Sequence, residues 1–411
     1  MVESSIISSP SSFYMTQFLC PHFGVCGGCR FQTTVYEDQL AQKQQFVEGV
    51  FAPYLSDAVI FNSIIRCESP WHYRNKMEFS FSQSKEGEQF LGLRISKKRG
   101  RVVNLETCLI SPPWVPAFLD VVRLWWKKEN VDAYFPPKDS GTLRTLTIRN
   151  GTNTGDRMGI LTISGNSKFD LTQAHISSFT KSVQTVLCHP KDSLILVRQV
   201  TQKKVPTRFE TTLLFGPGII REKMKGIDQK ELNFIIRWNA FFQPNTLQSE
   251  LIYKKALFLS KLTKNDILYD LYCGTGTISL FASPLVKQAI GIELIPEAVF
   301  DGKENIFNNQ VNNVTLLRGT VEEVLEQQEL PRPTCVILDP PRAGLTPKAI
   351  VQVKKLDVEK IVYISCNPAT QAENIKYFIE SGYDLKEICP IDQFPHTSHI
   401  ENIVVLKKKR F

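Results

Sequence analysis

Beyond residue 235 the chain alternates short apolar runs with amphipathic helical patterns, and this alternation constrains the fold more than any other feature of the sequence. It is typical of a doubly wound α/β sheet, in which helices connect parallel strands. A helix over Asn245–Leu262 is expected to lead into the first strand. The expected strands are Ile267–Leu271, Ala289–Glu293, Val314–Arg318, Cys335–Asp339, Ile361–Ser365, Leu385–Ile391 and Ile403–Leu406. Ligands of such sheets bind outside the carboxyl ends of the strands, so the residues that follow each strand are the functional candidates.

The 411 residues predict more than one domain. We divide them into a disordered Ser-rich tail over 1–17, a mixed α+β domain over 18–235 and the α/β domain over 236–411. In the middle domain, the alternating segments Lys76–Ser82, Thr145–Arg149 and Leu194–Gln199 predict strands. No apolar stretch is long enough to span a bilayer, and the first residues lack the pattern of a signal peptide. A cytoplasmic protein without membrane association is expected.

The turn after the first strand of the α/β domain predicts a cofactor site. It reads Asp270-Leu-Tyr-Cys-Gly-Thr-Gly-Thr277, and its two glycines let the backbone approach a ligand closely at the start of a helix. Glu293 ends the second strand, where its carboxylate can accept hydrogen bonds from a ribose diol. Ser279 stands where a dinucleotide site prefers its third glycine, which favours S-adenosylmethionine over NAD. Seven strands with no helix before the last fit the methyltransferase variant of the Rossmann fold.

Two neighbouring strand ends carry chemically reactive residues. Asp339-Pro-Pro-Arg342 follows the fourth strand, and Cys366 follows the fifth. Methylation at carbon 5 of uracil needs a thiolate to attack carbon 6, a donor that stabilises the resulting enolate, and a base that removes the carbon-5 proton. Glu401, just before the last strand, is the best candidate for that base. A buried, inert role for Cys366 is the alternative when this residue is considered alone.

Several segments together resemble the RNA uracil-5-methyltransferases that modify transfer and ribosomal RNA. They are DLYCGTGTISL, DPPRAG, YISCNPAT, FPHTSHIENIVVL and the F-x-Q-x-N pattern of Phe241–Asn245. The resemblance extends over the chain from Phe18 onward. It implies that Cys366 is the nucleophile and Glu401 the general base. It further implies that the residues which contact S-adenosylmethionine or the target base are Gln243, Tyr272, Glu293 and Asp339, with Thr277 and Thr320 at contact positions that the family often fills with other residue types.

Three cysteines within ten residues predict a metal site. Cys20, Cys26 and Cys29 lie in a Gly-rich loop, and Cys108 is the candidate fourth ligand. Four thiolates can hold zinc or an iron–sulfur cluster, and the spacing alone does not decide between them. The resemblance is greatest to the branch that acts on 23S rRNA, which carries a 4Fe–4S cluster on this spacing. It implies such a cluster here, with a structural role.

The expected partner is RNA. The net charge of +8 is compatible with a polyanionic ligand, and Tyr73-Arg-Asn-Lys76 combines an aromatic ring with cations suited to phosphates and an unstacked base. Fewer than twenty residues precede Cys20, too few for the small β-barrel with which many relatives begin. The resemblance favours 23S rRNA as the substrate of a monomeric enzyme. The alternatives are a tRNA uridine, or a non-catalytic RNA-binding assembly factor on the same fold.

Overall fold

The computed structural model describes residues 19–96, 100–202 and 205–409, so the expected tail over 1–17 lies outside the described part of the chain. Its helices are α1 (Tyr36–Phe51), α2 (Val115–Glu129), α3 (Gln173–Val183), α4 (Thr246–Ser260), α5 (Thr277–Ala282), α6 (Pro296–Asn308), α7 (Val321–Gln327), α8 (Pro347–Lys355) and α9 (Pro368–Ile379). Its strands are β1 (Ile60–Phe61), β2 (Lys76–Gln83), β3 (Gln89–Gly92), β4 (Leu143–Asn150), β5 (Arg157–Ser164), β6 (Ser193–Gln202), β7 (Val205–Phe215), β8 (Ile220–Lys225), β9 (Glu231–Ile236), β10 (Ile267–Leu271), β11 (Gln288–Glu293), β12 (Val314–Arg318), β13 (Cys335–Leu338), β14 (Lys360–Ser365), β15 (Tyr383–Ile391) and β16 (Glu401–Lys408).

The larger sheet is the predicted α/β sheet with one additional strand. Its order is β1-β15-β16-β14-β13-β10-β11-β12. All seven strands expected after residue 235 are present, and β16 runs antiparallel to both of its neighbours. The expectation of seven strands in this sheet was wrong, because Ile60–Phe61 of the first half pairs in parallel with β15. A two-residue strand is too short to produce an alternating pattern, so the sequence carries no signal for it.

The second sheet, β3-β2-β4-β5-β6-β7, belongs to the middle of the chain. It is mixed, since β5 and β6 run parallel while the other neighbours are antiparallel. Helices α2 and α3 cover one face, where Trp125 and Phe179 pack edge to face in the core. The other face packs against the β8–β9 hairpin, whose Met224 and Phe234 share one hydrophobic core with Ile252 of α4.

The first helix is attached to the α/β sheet rather than to the mixed sheet. Val47 and Phe51 of α1 are fully buried in the same core as Ile375 and Phe378 of α9. Burial of large apolar side chains contributes about 1.5–3 kcal/mol each, so this contact holds the early segment firmly on the sheet. Within the described residues, no helix has both the length and the apolar character needed to cross a membrane.

Candidate active site and cysteine cavity

Cys366 and Glu401 lie opposite each other at the end of an antiparallel strand pair. Ser365 at the end of β14 pairs with Asn402 of β16, so the next position along this register brings Cys366 beside Glu401. Glu401 is the first residue of β16, where the sequence placed it just before the strand. Cys366 is half-buried, whereas Glu401 is buried. The two candidate reactive groups are thus held by backbone pairing.

Burial raises the pKa of both candidate reactive groups of this pair. Burial, followed by the charge of Glu401, raises the pKa of Cys366 to about 11. Burial and then the charge of Asp339 raise the pKa of Glu401 well above its usual range. Arg342 acts in the opposite direction on both residues, because a nearby cation stabilises a thiolate and a carboxylate. Arg342 therefore favours the reactive, deprotonated forms.

Asp339 follows β13, one strand away from Cys366, and is half-buried beside a second acid. Burial, followed by the charge of Asp270, raises the pKa of Asp339 to about 7. Asp270 on β10 is fully buried, and burial raises its own pKa to about 6. Asp270, Asp339 and Glu401 thus form a row of interacting acids at the carboxyl ends of the strands.

The glycine turn after β10 has the conformation that its sequence predicted. Gly274 and Gly276 have φ of 54° and 71°, and Tyr272 also lies in the left-handed region with φ of 66°. A side chain on Gly274 would meet no atom within 4 Å, so its backbone faces open space. Glu293 accepts hydrogen bonds from the backbone N–H groups of Gly274 (2.9 Å) and Ile295 (2.8 Å). The carboxylate is thereby fixed beside the turn.

Asp270 and Ser279 form a contact that the sequence analysis missed. Ser279 donates from its backbone nitrogen (2.9 Å) and from Oγ (2.7 Å) to Oδ2 of Asp270. Oδ1 of Asp270 is buried without a partner. An unpaired buried acceptor beside an open glycine turn fits a ligand that brings its own donor, such as the ammonium group of S-adenosylmethionine. The acidic first residue of the turn was the available sequence signal.

The carboxyl ends of adjacent strands bring most of the predicted residues together. In the order β14, β13, β10, β11, β12, these ends carry Cys366, Asp339, Tyr272, Glu293 and Thr320. Thr320 is less available than predicted, because its hydroxyl caps α7 by donating to Glu323 (2.9 Å) and accepting from the Glu323 backbone (3.1 Å).

The remaining predicted cofactor residues precede or begin helices. Thr277 is the first residue of α5 and is buried, with its Oγ1 3.3 Å from that of Thr275. Gln243 lies just before α4, and its carbonyl accepts a hydrogen bond from Asn75 (2.8 Å). Both residues are thus tied to the scaffold around the crevice.

The four predicted metal-ligand cysteines line one cavity. Cys20, Cys26, Cys29 and Cys108 surround a space of about 610 Å³, which Arg74 and Lys76 also border. Burial and, to a smaller extent, the charges of the neighbouring thiols raise the pKa of Cys29 to about 12. A side-chain hydrogen bond acts in the opposite direction. In the described part of the chain, no group of three or more His, Cys, Asp or Glu side chains is arranged to hold a single metal ion. The four thiols therefore line a common cavity but are not arranged closely around a single metal position.

The cysteine loop contacts the loop that leads into Glu401. The backbone N–H groups of Arg30 (2.8 Å) and Phe31 (3.1 Å) donate to the carbonyl of His396. The His396 ring stacks on Trp71 at 3.7 Å, and burial lowers the pKa of His396 to about 4. His396 therefore orders this loop as a neutral, packed side chain.

The Tyr73–Lys76 segment is more deeply buried than an RNA-binding surface would be. Tyr73 donates to the carbonyl of Pro395 (3.0 Å), and Asn75 donates to Gln243 and Thr246. Burial, followed by the charge of Arg149, lowers the pKa of Lys76 to about 8. Arg74 also lies beside the loop that leads into Glu401, with its guanidinium 5.9 Å from the centre of the Phe394 ring.

Comparisons with known proteins agree with this geometry. The model of the tRNA (uracil-5-)-methyltransferase family matches residues 204–409. An uncharacterized RNA methyltransferase of Protochlamydia amoebophila is 45% identical, over 94% of this chain and 90% of the relative. One of Chlamydia pneumoniae is 38% identical, over 95% of this chain and 98% of the relative. The structure of Pyrococcus abyssi tRNA (uracil-54, C5)-methyltransferase in complex with S-adenosyl-L-homocysteine has the same fold, with a TM-score of 0.70 and 22% identity over 93% of this chain and 86% of that one.

Proposed function

Because the chain belongs to the tRNA (uracil-5-)-methyltransferase family and is an S-adenosylmethionine-dependent RNA methyltransferase, we propose that it methylates carbon 5 of a uridine through a covalent adduct on Cys366. The observation that carries the proposal is the register of β14 and β16, whose last pair joins Ser365 and Asn402, the residues next to Cys366 and Glu401. A nucleophile and a base at the same strand end suit a reaction that needs both on adjacent ring carbons.

The proposed chemistry uses each group in turn. The thiolate of Cys366 forms a bond to carbon 6 of the uracil, and the electron pair of the 5,6 double bond moves toward O4. Arg342 at the next strand end stabilises the resulting enolate, and Asp339 does so in its protonated form by donating a hydrogen bond. S-adenosylmethionine supplies the methyl group that carbon 5 receives. Glu401 then takes the carbon-5 proton, the double bond re-forms, and the Cys366 thiolate leaves.

S-adenosylmethionine is proposed to lie along the strand ends on the Glu293 side of the nucleophile. Glu293 would accept from the ribose hydroxyls, and the open backbone of Gly274 would allow close approach. Asp270 and Asp339 would face the charged amino-acid end. Gln243, Tyr272, Thr277 and Thr320 complete the proposed contacts.

An RNA that contains 5-fluorouridine tests the mechanism. Fluorine cannot leave as a proton, so wild-type protein incubated with S-adenosylmethionine should form an RNA adduct visible by denaturing mass analysis. Cys366→Ala should form none, whereas Cys188→Ala, which removes an exposed cysteine outside the site, should behave as wild type. Glu401→Gln should accumulate the adduct even on ordinary uridine. Absence of any adduct from folded wild-type protein would favour the non-catalytic alternative.

We further propose that the substrate is 23S rRNA and that the four cysteines hold a 4Fe–4S cluster. The support is that the four thiols line one cavity, as the ligands of one cluster must. Iron and acid-labile sulfide should be present in anaerobically purified protein and lost in Cys108→Ser. Bound zinc would contradict the cluster. Incorporation of labelled methyl groups into unmodified 23S rRNA but not into tRNA transcripts would identify the substrate.

A further inference from the structure

We propose that Arg30, Arg74 and His399 form, beside Arg342, a binding site for a phosphate group of the RNA at the rim of the catalytic cleft. The inference rests on the proposed function, since it takes the ligand to be the RNA whose uridine reaches Cys366. It adds Arg30 and His399 to the cation that the Tyr73–Lys76 segment supplies, and it gives the phosphate a place beside Arg342.

His399 offers a hydrogen-bond donor toward this rim. A guanidinium nitrogen of Arg342 donates to its Nδ1. Arginine has no acceptor, so Nδ1 must be the unprotonated nitrogen and the neutral ring carries its proton on Nε2. His399 is exposed and lies two residues before Glu401. Its Nε2–H is therefore a donor at the opening of the cleft, in position for an anionic oxygen.

Arg74 contributes a cation with an unpaired donor. Its Nε is buried and has no hydrogen-bond partner among the described residues. The guanidinium is held 5.9 Å from the centre of the Phe394 ring, and the same ring lies 6.1 Å from His399. The Phe394 ring thus lies next to both the Arg74 guanidinium and the His399 ring. An unpaired donor on a fixed guanidinium is costly unless a ligand accepts from it.

Arg30 is brought to the same rim by the backbone. Its N–H donates to the carbonyl of His396, three residues before His399 in the sequence. Arg30 is exposed, and its positive charge is close enough to His399 to contribute to lowering the pKa of that ring. The loop that carries the cysteines therefore delivers a cation to the catalytic cleft.

These cations lack protein counter-ions. Among the salt bridges of the described residues, none joins Arg30, Arg74 or Arg342 to a carboxylate. The nearby carboxylate Asp392 is already paired with Lys43 at 2.6 Å. Convergent positive charges without an internal partner produce a potential that attracts an anion. Arginine forks and a neutral imidazole N–H match the oxygens of a phosphodiester.

The position of the site suits the backbone of an extruded nucleotide. Arg342 lies three residues after Asp339, and His399 lies two residues before Glu401. A uridine that enters the cleft must be turned out of any helix, which leaves its phosphate at the opening. A phosphate held at this rim would orient the base toward Cys366 without reading its sequence.

Salt-dependent binding of a fluorescein-labelled single-stranded oligouridine dodecamer tests the inference. Each phosphate contact contributes about 0.7 to the slope of log K against log salt concentration for single strands. Arg74→Gln and Arg30→Gln should each reduce that slope by about 0.7 and weaken binding several-fold, whereas Arg74→Lys should retain most of it. Arg332→Gln is the matched control. Arg332 lies before the amino end of β13, away from the carboxyl ends of the strands, and pairs with Asp357.

The outcomes separate this site from the proposed reaction. A wild-type slope in Arg74→Gln and Arg30→Gln would overturn the phosphate site, even if the 5-fluorouridine adduct forms normally. Loss of bound iron in Arg74→Gln with an unchanged slope would also overturn it and would assign Arg74 to the cysteine cavity. Binding of S-adenosylmethionine should be unchanged in both variants. A salt-independent affinity of the wild-type protein would overturn the site while the adduct experiment still judges the chemistry.

Discussion

At the scale of single residues, the strand ends near Cys366 carry two acids, Asp270 and Asp339, whose pKa values burial raises toward neutrality. The pKa of Asp339 is raised to about 7 by burial and then by the charge of Asp270. Below that pH the carboxyl is neutral, and above it the carboxylate is available to a cation. S-adenosylmethionine carries a sulfonium charge that its product S-adenosylhomocysteine lacks, so the two ligands should respond differently to the charge of this residue.

We therefore expect the affinity for S-adenosylmethionine to increase from pH 6 to pH 8. The dissociation constant should fall by about three- to tenfold as Asp339 ionises, because binding of a cation favours the charged carboxylate. Isothermal titration calorimetry measures this directly. S-adenosylhomocysteine should show a smaller change, and Asp339→Asn should flatten the profile for both ligands. Identical pH profiles for the two ligands in the wild-type protein would contradict this role of Asp339.

The positions of the proposed catalytic residues in the fold could be predicted from the sequence, whereas their roles stay predictions. Cys366, Asp339 and Glu401 follow or precede recognisable strands, so their approach to one edge could be inferred from topology alone. The Asp270–Ser279 contact and the burial of Asn75 could not, because a hydrogen bond between side chains depends on distances that spacing does not contain. The N-cap role of Thr320 could not be predicted either. We predicted this residue only as a cofactor contact, whereas its hydroxyl caps α7 in the structure.

At the scale of elements, one buried amide joins the two strands that hold the reactive pair. Gln371 of α9 donates to the carbonyls of Tyr363 in β14 (2.7 Å) and Asn402 in β16 (3.2 Å). Asn402 donates back to Oε1 of Gln371 at 2.8 Å, and both side chains are fully buried. This reciprocal contact fixes the separation between the ends that carry Cys366 and Glu401.

Gln371→Ala should slow proton removal more than adduct formation. Loosening β16 moves the base, so a kinetic isotope effect on 5-deuterated uridine should appear or increase while the 5-fluorouridine adduct still forms. Asn374→Ala is a matched control, because Asn374 is a buried amide of the same helix whose contacts are with Tyr363 and Leu345. Both variants should lose about 1–3 kcal/mol of stability. An unchanged isotope effect in Gln371→Ala would reduce Gln371 to a structural residue.

A buried ion pair attaches α1 to the loop before Glu401. Lys43 contacts Asp392 at 2.6 Å, with side chains that are 3% and 0% exposed. Lys43→Met leaves a buried carboxylate without its partner and should lower the free energy of unfolding by about 3–5 kcal/mol in urea titrations. Lys408→Met breaks the exposed pair with Asp357 and should cost less than about 1 kcal/mol. Equal losses in the two variants would show that Asp392 is solvated or finds another partner.

Hydrophobic periodicity predicted the strands after residue 235 but not the contacts of the first helix and strand. Every strand expected after residue 235 is present within two residues of its predicted start, because long buried runs bounded by turns are strong signals. The short strand Ile60–Phe61 and the docking of α1 on α9 depend on partners more than 300 residues away. No local pattern encodes such contacts.

At the scale of the whole molecule, the two sheets are joined through shared cores. Met158 and Val197 of the mixed sheet pack in one cluster with Leu268 and Val362 of the α/β sheet. A fragment of residues 236–411 should therefore fail to fold, since it exposes this cluster and also the surface that α1 covers. Near-ultraviolet circular dichroism of the purified fragment should lack fixed aromatic signals. Co-expression with residues 19–235 should restore them, and a well-folded isolated fragment would contradict the dependence.

The pairing of β1 with β15 also has a consequence for how the protein is made. On the ribosome, Ile60–Phe61 emerges early, yet the strand that it pairs with is synthesised more than 300 residues later. The first helix, which packs on the same sheet, therefore stays exposed during most of translation, because contacts between distant segments form late and slowly. The strand that pairs with Ile60–Phe61 is β15, and β16, which begins with Glu401, follows it. A prematurely terminated chain therefore lacks both this partner strand and the proposed base, and we expect nascent fragments neither to complete the sheet nor to turn over uridine.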